Sequence, residues 1–346
     1  MNYLFRSLIF ICSLLSCVVS SASAAVTEEA GGHEYLLNKA EYFLLKDPKR
    51  TLTILAELDS VSKLERTIAL KKLLLQAKAL LTQRQNVAAQ LAISQLYDYA
   101  QSSEFRKMLF DNLYVSAAWL RRAHHHQAAT DAYRCALKKA QTQRQAIRAL
   151  NGLANVLREQ GDFATAAAVY QQAISQAQKV SDKLAIASLQ NNLGTAYLDG
   201  GEFSLAKTAF AAAFEQFQMM EHQAARLNAG LNLLFAALMS QDLMLYQRLI
   251  TRVEKLTVEY NNLSRLAYLD WIKLAYRFQQ TEPLSDKQKH YLSEQFSAID
   301  DVGLQRVIKQ YLAAPMAVTV AIKTTTNSEP LTEHGSWVAT LTQCNW

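Results

Sequence analysis

Few residues of this chain are arranged for catalysis; those set for recognition are amides and guanidinium groups. The sequence has no glycine loop to cradle a phosphate, no nucleophile elbow and no His-Glu-x-x-His pair. Carboxylates recur only at the spacing of solvated helix faces. The run His124-His125-His126 has a metal-binding composition. It falls at an expected turn, however, and three consecutive side chains cannot face one ion from a helix. No enzymatic activity, cofactor or metal is therefore expected. The informative set is Asn151, Asn155, Asn191 and Asn192, with Arg121, Arg122, Arg148 and Arg158 close to it in register. An amide both donates and accepts, so a row of them can pair with an extended backbone without reading its sequence. Guanidinium forks would then select carboxylates, from acidic side chains or a chain terminus. A competing reading has the same amides bond to neighbouring elements and brace them.

These residues are positioned by a stretch that says the same thing twice. NGLANVLREQGDFATAAAVYQQA begins at Asn151, and 40 residues on NNLGTAYLDGGEFSLAKTAFAAA begins at Asn191. Each copy reads as helix, turn and helix. Leu193, Gly194 and Tyr197 share one face of a first helix, and Ala206, Phe210 and Ala213 form an apolar stripe on a second. Gly200-Gly201 and Gly161 supply the turns, and Asp162 can cap the helix that follows. A glycine inside a helix, such as Gly194, costs roughly 0.5–1 kcal/mol relative to alanine. Close approach of the partner helix at Ala206 is the expected compensation. With Leu153, Leu193 and Leu233 facing inward to the partner helices, Asn151, Asn155, Asn191 and Thr195 line an inner, concave wall. Leu231 and Phe235 continue that wall and make it apolar.

Leu193-Gly194-x2-Tyr197 followed by Ala206-x3-Phe210 resembles the tetratricopeptide repeat, whose pattern is W-x2-L-G-x2-Y, then A-x3-F and a closing Pro that neither copy here has. Leu153-Ala154-x2-Leu157 followed by Ala166-x3-Tyr170 matches with two substitutions. The 40-residue period and the Asn-Asn before Leu193 look more like the long repeats of kinesin light chain and the bacterial maltose-regulon activator. The resemblance implies an all-α, right-handed α-solenoid of antiparallel helical hairpins. It also implies a peptide-binding Asn ladder, carried over to Asn151, Asn155, Asn191 and Asn192 only.

The rest of the chain fits this plan. Weaker units extend outward through Leu113, Ala129 and Tyr133, through Leu73 and Ala89, and to an early turn at Asp47-Pro48, where proline suits a first helical turn. Downstream come Leu263–Gln280, Ser285–Ile299 and a terminal cap at Val302–Leu312. The repeat domain is expected over 33–312, clearest at about 145–180 and 184–220, with an irregular tail over 313–346. Residues 1–24 read as a secretory signal peptide cleaved after Ala24, since Arg6 precedes a short apolar run and Ala22-Ser23-Ala24. Leu14-Leu15-Ser16-Cys17 offers the alternative of a lipoprotein anchored through Cys17. Of the four cysteines, Cys135 reads as a small buried residue and Cys344 as a tail thiol, with pairing in an oxidising compartment the alternative. The net charge of +6 in 346 residues is dispersed, so it does not argue for nucleic acid, and a membrane enters only through lipidation. The expectation is an exported, periplasmic or secreted scaffold holding a protein or peptide with acidic groups. The alternative is a ligand-sensing module of a signalling system.

Overall fold

The computed structural model describes residues 32–60, 64–280, 283–322 and 337–346. Among the described residues helix is the only regular structure, and no helix is long and apolar enough to cross a membrane. The expected signal peptide, with Ala24 and Cys17, lies outside the described residues. The chain divides into two compact units, residues 1–123 with 330–346, and residues 124–329.

The first unit contains α1 (32–43), α2 (Pro48–Ala56), α3 (Arg66–Thr82), α4 (Asn86–Tyr97), α5 (Ser103–Lys107) and α6 (Leu109–Arg122). Asp47 caps α2 by accepting from the Arg50 amide at 3.0 Å, with Pro48 at the first helical position. The chain's last helix, α17 (Trp337–Gln343), belongs to this unit and buries Trp337 and Leu341. Trp337 stacks on Tyr97 with ring centroids 5.2 Å apart and meets Trp119 edge-on at 5.8 Å. Trp346 lies 5.6 Å from Phe105. The irregular tail expected after residue 313 is thus corrected at its end. The segment has no helical period, but a large indole surface gains enough from leaving water to dock it.

The second unit runs through α7 (His126–Lys138), α8 (Gln143–Glu159), α9 (Phe163–Lys179), α10 (Lys183–Asp199), α11 (Phe203–Met219), α12 (Gln223–Met239), α13 (Leu243–Tyr260), α14 (Leu263–Gln280), α15 (Asp286–Phe296) and α16 (Val302–Ile308), followed by a π-helical turn, Lys309–Ala313. From α8 to α14 the helices begin at residues 143, 163, 183, 203, 223, 243 and 263. The reason is one turn used repeatedly. The second residue of the three-residue link after each helix from α8 to α12 takes the left-handed conformation or its near equivalent: Gly161 (φ +86°), Ser181 (+53°), Gly201 (+79°), Glu221 (+54°) and Gln241 (+59°). The next amide then reaches the carbonyl five residues back, as Asp162 does to Leu157 at 3.0 Å and Asp242 to Ala237 at 2.9 Å. That next residue also starts the following helix: Asp162, Asp182 and Asp242 accept from the amides of Thr165, Ala185 and Leu245 at 3.2, 3.1 and 3.1 Å.

The apolar stripes meet between these helices. Ala166, Tyr170 and Ala173 on α9 and Ala206, Phe210 and Ala213 on α11 are all fully buried. The neighbour of Gly194 is the Phe210 ring rather than Ala206, because a Cβ at Gly194 would stand 2.7 Å from Phe210 Cδ1. Gly152 makes room for the Tyr133 ring in the same way. Glycine here makes room for a ring, not for a backbone.

Candidate functional site: the amide row and the end of the repeats

Asn151 and Asn155 lie one turn apart on α8, and Asn191 and Asn192 lie on α10; all four are half-buried. Asn192 Nδ2 donates to Asn151 Oδ1 at 2.9 Å, linking α8 to α10. Asn155 Nδ2 donates to the Asn151 carbonyl at 2.9 Å, and Asn155 Oδ1 accepts from the Tyr170 hydroxyl at 2.8 Å. Three of the four amides are therefore engaged in bracing. Asn191 differs: its Oδ1 is shielded from solvent and has no donor, while its carbonyl accepts from the Thr195 hydroxyl at 3.0 Å.

The arginines separate into three situations. Arg148 is half-buried on the same helix as Asn151. Arg158 Nη1 donates to Asp199 Oδ2 at 2.9 Å, joining the ends of α8 and α10. Arg121 and Arg122 are half-buried in the first unit, and Arg122 Nη1 donates to the Leu81 carbonyl. The amide row shares its unit with Arg148 and Arg158 only. Tyr170 is read from the sequence only as a repeat position, not as a partner of Asn155, and Asp199 is not singled out there. A signal for the second existed, since Asn151–Asn192 and Arg158–Asp199 both span 41 positions, one repeat period plus one.

Burial leaves its mark on the ion pair. Asp199 is held above the usual carboxylate range, first by desolvation and further by Asp301, although Arg158 and Arg306 pull it down. For Arg158, burial acts to lower the pKa, but the negative charges around it, Asp199 foremost, leave it raised. The guanidinium stays charged at any working pH.

The apolar continuation of the wall is closed. Leu231 and Phe235 are 1% and 0% exposed and share a core with Val307, Ile308, Leu312 and Met316. Phe203 bridges the two sides, 4.9 Å from Tyr311 and 6.4 Å from Phe235. The chain's own segment after α15 thus contributes to the core that buries the positions where the sequence suggested an open apolar groove. His124 sits at the turn before α7 with φ +63°. His126 Nδ1 lies 3.9 Å from Glu159 Oε2. Among the described residues no group of three or more His, Cys, Asp or Glu is placed to hold a metal ion. Cys135 is buried on α7 as expected, but Cys135 and Cys344 are each disulfide-bonded, which corrects the reading of free thiols. Pairing depends on the spatial approach of the Cβ atoms, which chain position does not encode.

A family model described as tetratricopeptide repeat matches residues 145–219. No curated protein matches the chain. Among solved structures, it is similar to a Rap protein complexed with Competence and Sporulation Factor, at 14% identity over 82% of each chain and a TM-score of 0.62. It is also similar to the Rap conjugation gene regulator of plasmid pLS20 in complex with the Phr* peptide. There the identity is 12%, the coverage 90% of this chain and 96% of that one, and the TM-score 0.53. At such identities the likeness is one of fold.

Proposed function

Since residues 145–219 match a tetratricopeptide-repeat model, we propose that the chain is a non-catalytic scaffold that holds a peptide or a segment of a partner protein against the wall built by α8 and α10. The observation that carries this is the half-exposed polar row of Arg148, Asn151, Asn155, Asn191 and Thr195 on adjacent helices. Within it Asn191 Oδ1 has no donor in the chain, and with the side chain turned outward a bound backbone amide would supply one. Two structures of similar fold were solved in complex with Competence and Sporulation Factor and with the Phr* peptide, and that supports the class of partner. A partner with acidic groups would engage Arg148. We place the protein in an exported compartment, as a periplasmic or secreted scaffold or a lipoprotein anchored through Cys17. The disulfide-bonded Cys135 and Cys344 support this, because such bonds persist in oxidising compartments.

The test is capture of partners from a periplasmic extract by the mature chain and by an Arg148→Ala/Asn191→Ala variant. The variant should keep its melting midpoint and lose the captured partner; an unchanged set of partners refutes the wall as the binding surface. A second reading, a ligand-sensing module, is favoured by a cavity at the end of α8.

A further inference from the structure

Between the α8–α9 turn and the start of α16 lies a cavity of about 450 Å³, within the range of small-ligand sites. Its lining includes Arg158, Phe163, Asp199, Asp301, Arg306 and Tyr311. Two of these charges are already paired: Arg158 and Asp199 meet at 2.9 Å, with side chains only 22% and 18% exposed. The other two arrive on the terminal segment. Asp301 Oδ1 accepts from the Leu304 amide at 2.7 Å and caps α16. Arg306 is exposed and forms no hydrogen bond or ion pair among the described residues; Asp199 feels it only through space.

Binding capacity of both signs is thus left over. On the acceptor side Asp301 lies beside Asp199 and helps hold its carboxyl above the usual range, while Glu159, which His126 approaches at 3.9 Å, adds a third carboxylate to the lining. On the donor side stand the Arg306 guanidinium and Arg158 Nε, which is shielded and has no acceptor. A simple anion would meet three carboxylates, and a simple cation would leave Arg306 unanswered. Phosphate esters are disfavoured by the first argument. A metal ion is disfavoured because, among the described residues, no three His, Cys, Asp or Glu groups are placed so that they could hold one. Phe163, Val307 and Tyr311 add an apolar wall on which aliphatic carbons can rest.

We propose that this cavity binds a small zwitterion, a free amino acid or a dipeptide, with its ammonium group on Asp199 and Asp301 and its carboxylate on Arg306. The ligand would join α16 to the ends of α8 and α10. Its binding stabilises the folded chain by mass action. This site is separate from the amide wall, so either can fail alone.

The experiment uses the full mature protein. Titration calorimetry with the twenty amino acids, Gly-Gly and Ala-Ala should find at least one binder, and that binder should raise the melting midpoint. Its N-acetylated and C-amidated forms should each bind more weakly. Arg306→Gln and Asp301→Asn, the latter retaining a helix cap, should each weaken binding about tenfold to a hundredfold with the midpoint of the unliganded protein kept. Asn191→Ala should leave it unchanged. No binder in the panel, equal affinity for a blocked form, or full affinity in both charge variants overturns the proposal. Amino acids and dipeptides are separated by the panel itself.

Discussion

Gly194 and Asp199 show how narrow the tolerances are at single positions. A side chain at Gly194 would begin 2.7 Å from the Phe210 ring, which is itself fully buried. Gly194→Leu should therefore cost about 1–3 kcal/mol through overpacking, visible as a lower denaturation midpoint; a midpoint equal to wild type would show that the ring can move aside. Asp199 makes a statement about pH. Its folded pKa lies above the unfolded one, because burial and Asp301 outweigh Arg158. The folded state therefore holds the proton more tightly. The stability it contributes is fully present below the ordinary carboxylate pKa and is lost as pH rises through the raised value. In Asp199→Asn that part of the pH dependence should vanish from the melting midpoint measured across the acid range. An undiminished slope would assign it to other groups.

At the scale of the helices, the device is the three-residue link. Of the five left-handed positions after α8 to α12, only Gly161 and Gly201 are glycines. Nothing lies within 4 Å of a Cβ built on Gly161, so a substitution there probes backbone strain with no steric contact. Gly161→Val should destabilise by about 1–2 kcal/mol. Glu221→Gly, at φ +54°, should be neutral or stabilising by up to about 1 kcal/mol, since relief of strain is partly offset by unfolded-chain entropy. Chemical denaturation of both variants checks the pair, and a loss in Glu221→Gly comparable to that in Gly161→Val would mean that the turn residue is held by its side chain. The links with glycine were visible in the sequence. Those at Ser181, Glu221 and Gln241 were not, because the left-handed conformation is imposed by the helices on either side.

For the molecule as a whole, the end of the chain is structural in both units. Val307, Ile308 and Leu312 help close the core beside Leu231 and Phe235, and Trp337 fills the first unit against Tyr97 and Trp119. Trp337 is 4% exposed, so Trp337→Ala should destabilise by about 3–5 kcal/mol. Hydrogen exchange over α4 and α6 reads this directly, and unchanged protection there would contradict the packing. The disulfide-bonded Cys135 and Cys344 lead to a further expectation: thiol titration of the denatured, unreduced mature chain should find no free thiol.

Local chemistry was sufficient for the repeat itself. The 40-residue offset, the alanine and aromatic stripe and the Gly and Asp turn signals are short-range patterns, so they specify paired helices before any long-range contact is known. The fate of polar and terminal residues was not local. Whether Asn155 faces a ligand or Tyr170, whether Arg158 is free or bound to Asp199, and what buries Leu231 and Phe235 depend on groups tens of residues away. A hydrogen bond or an apolar contact is fixed by distance in space, and for these residues the stacking of helices and the return of the chain's end set that distance.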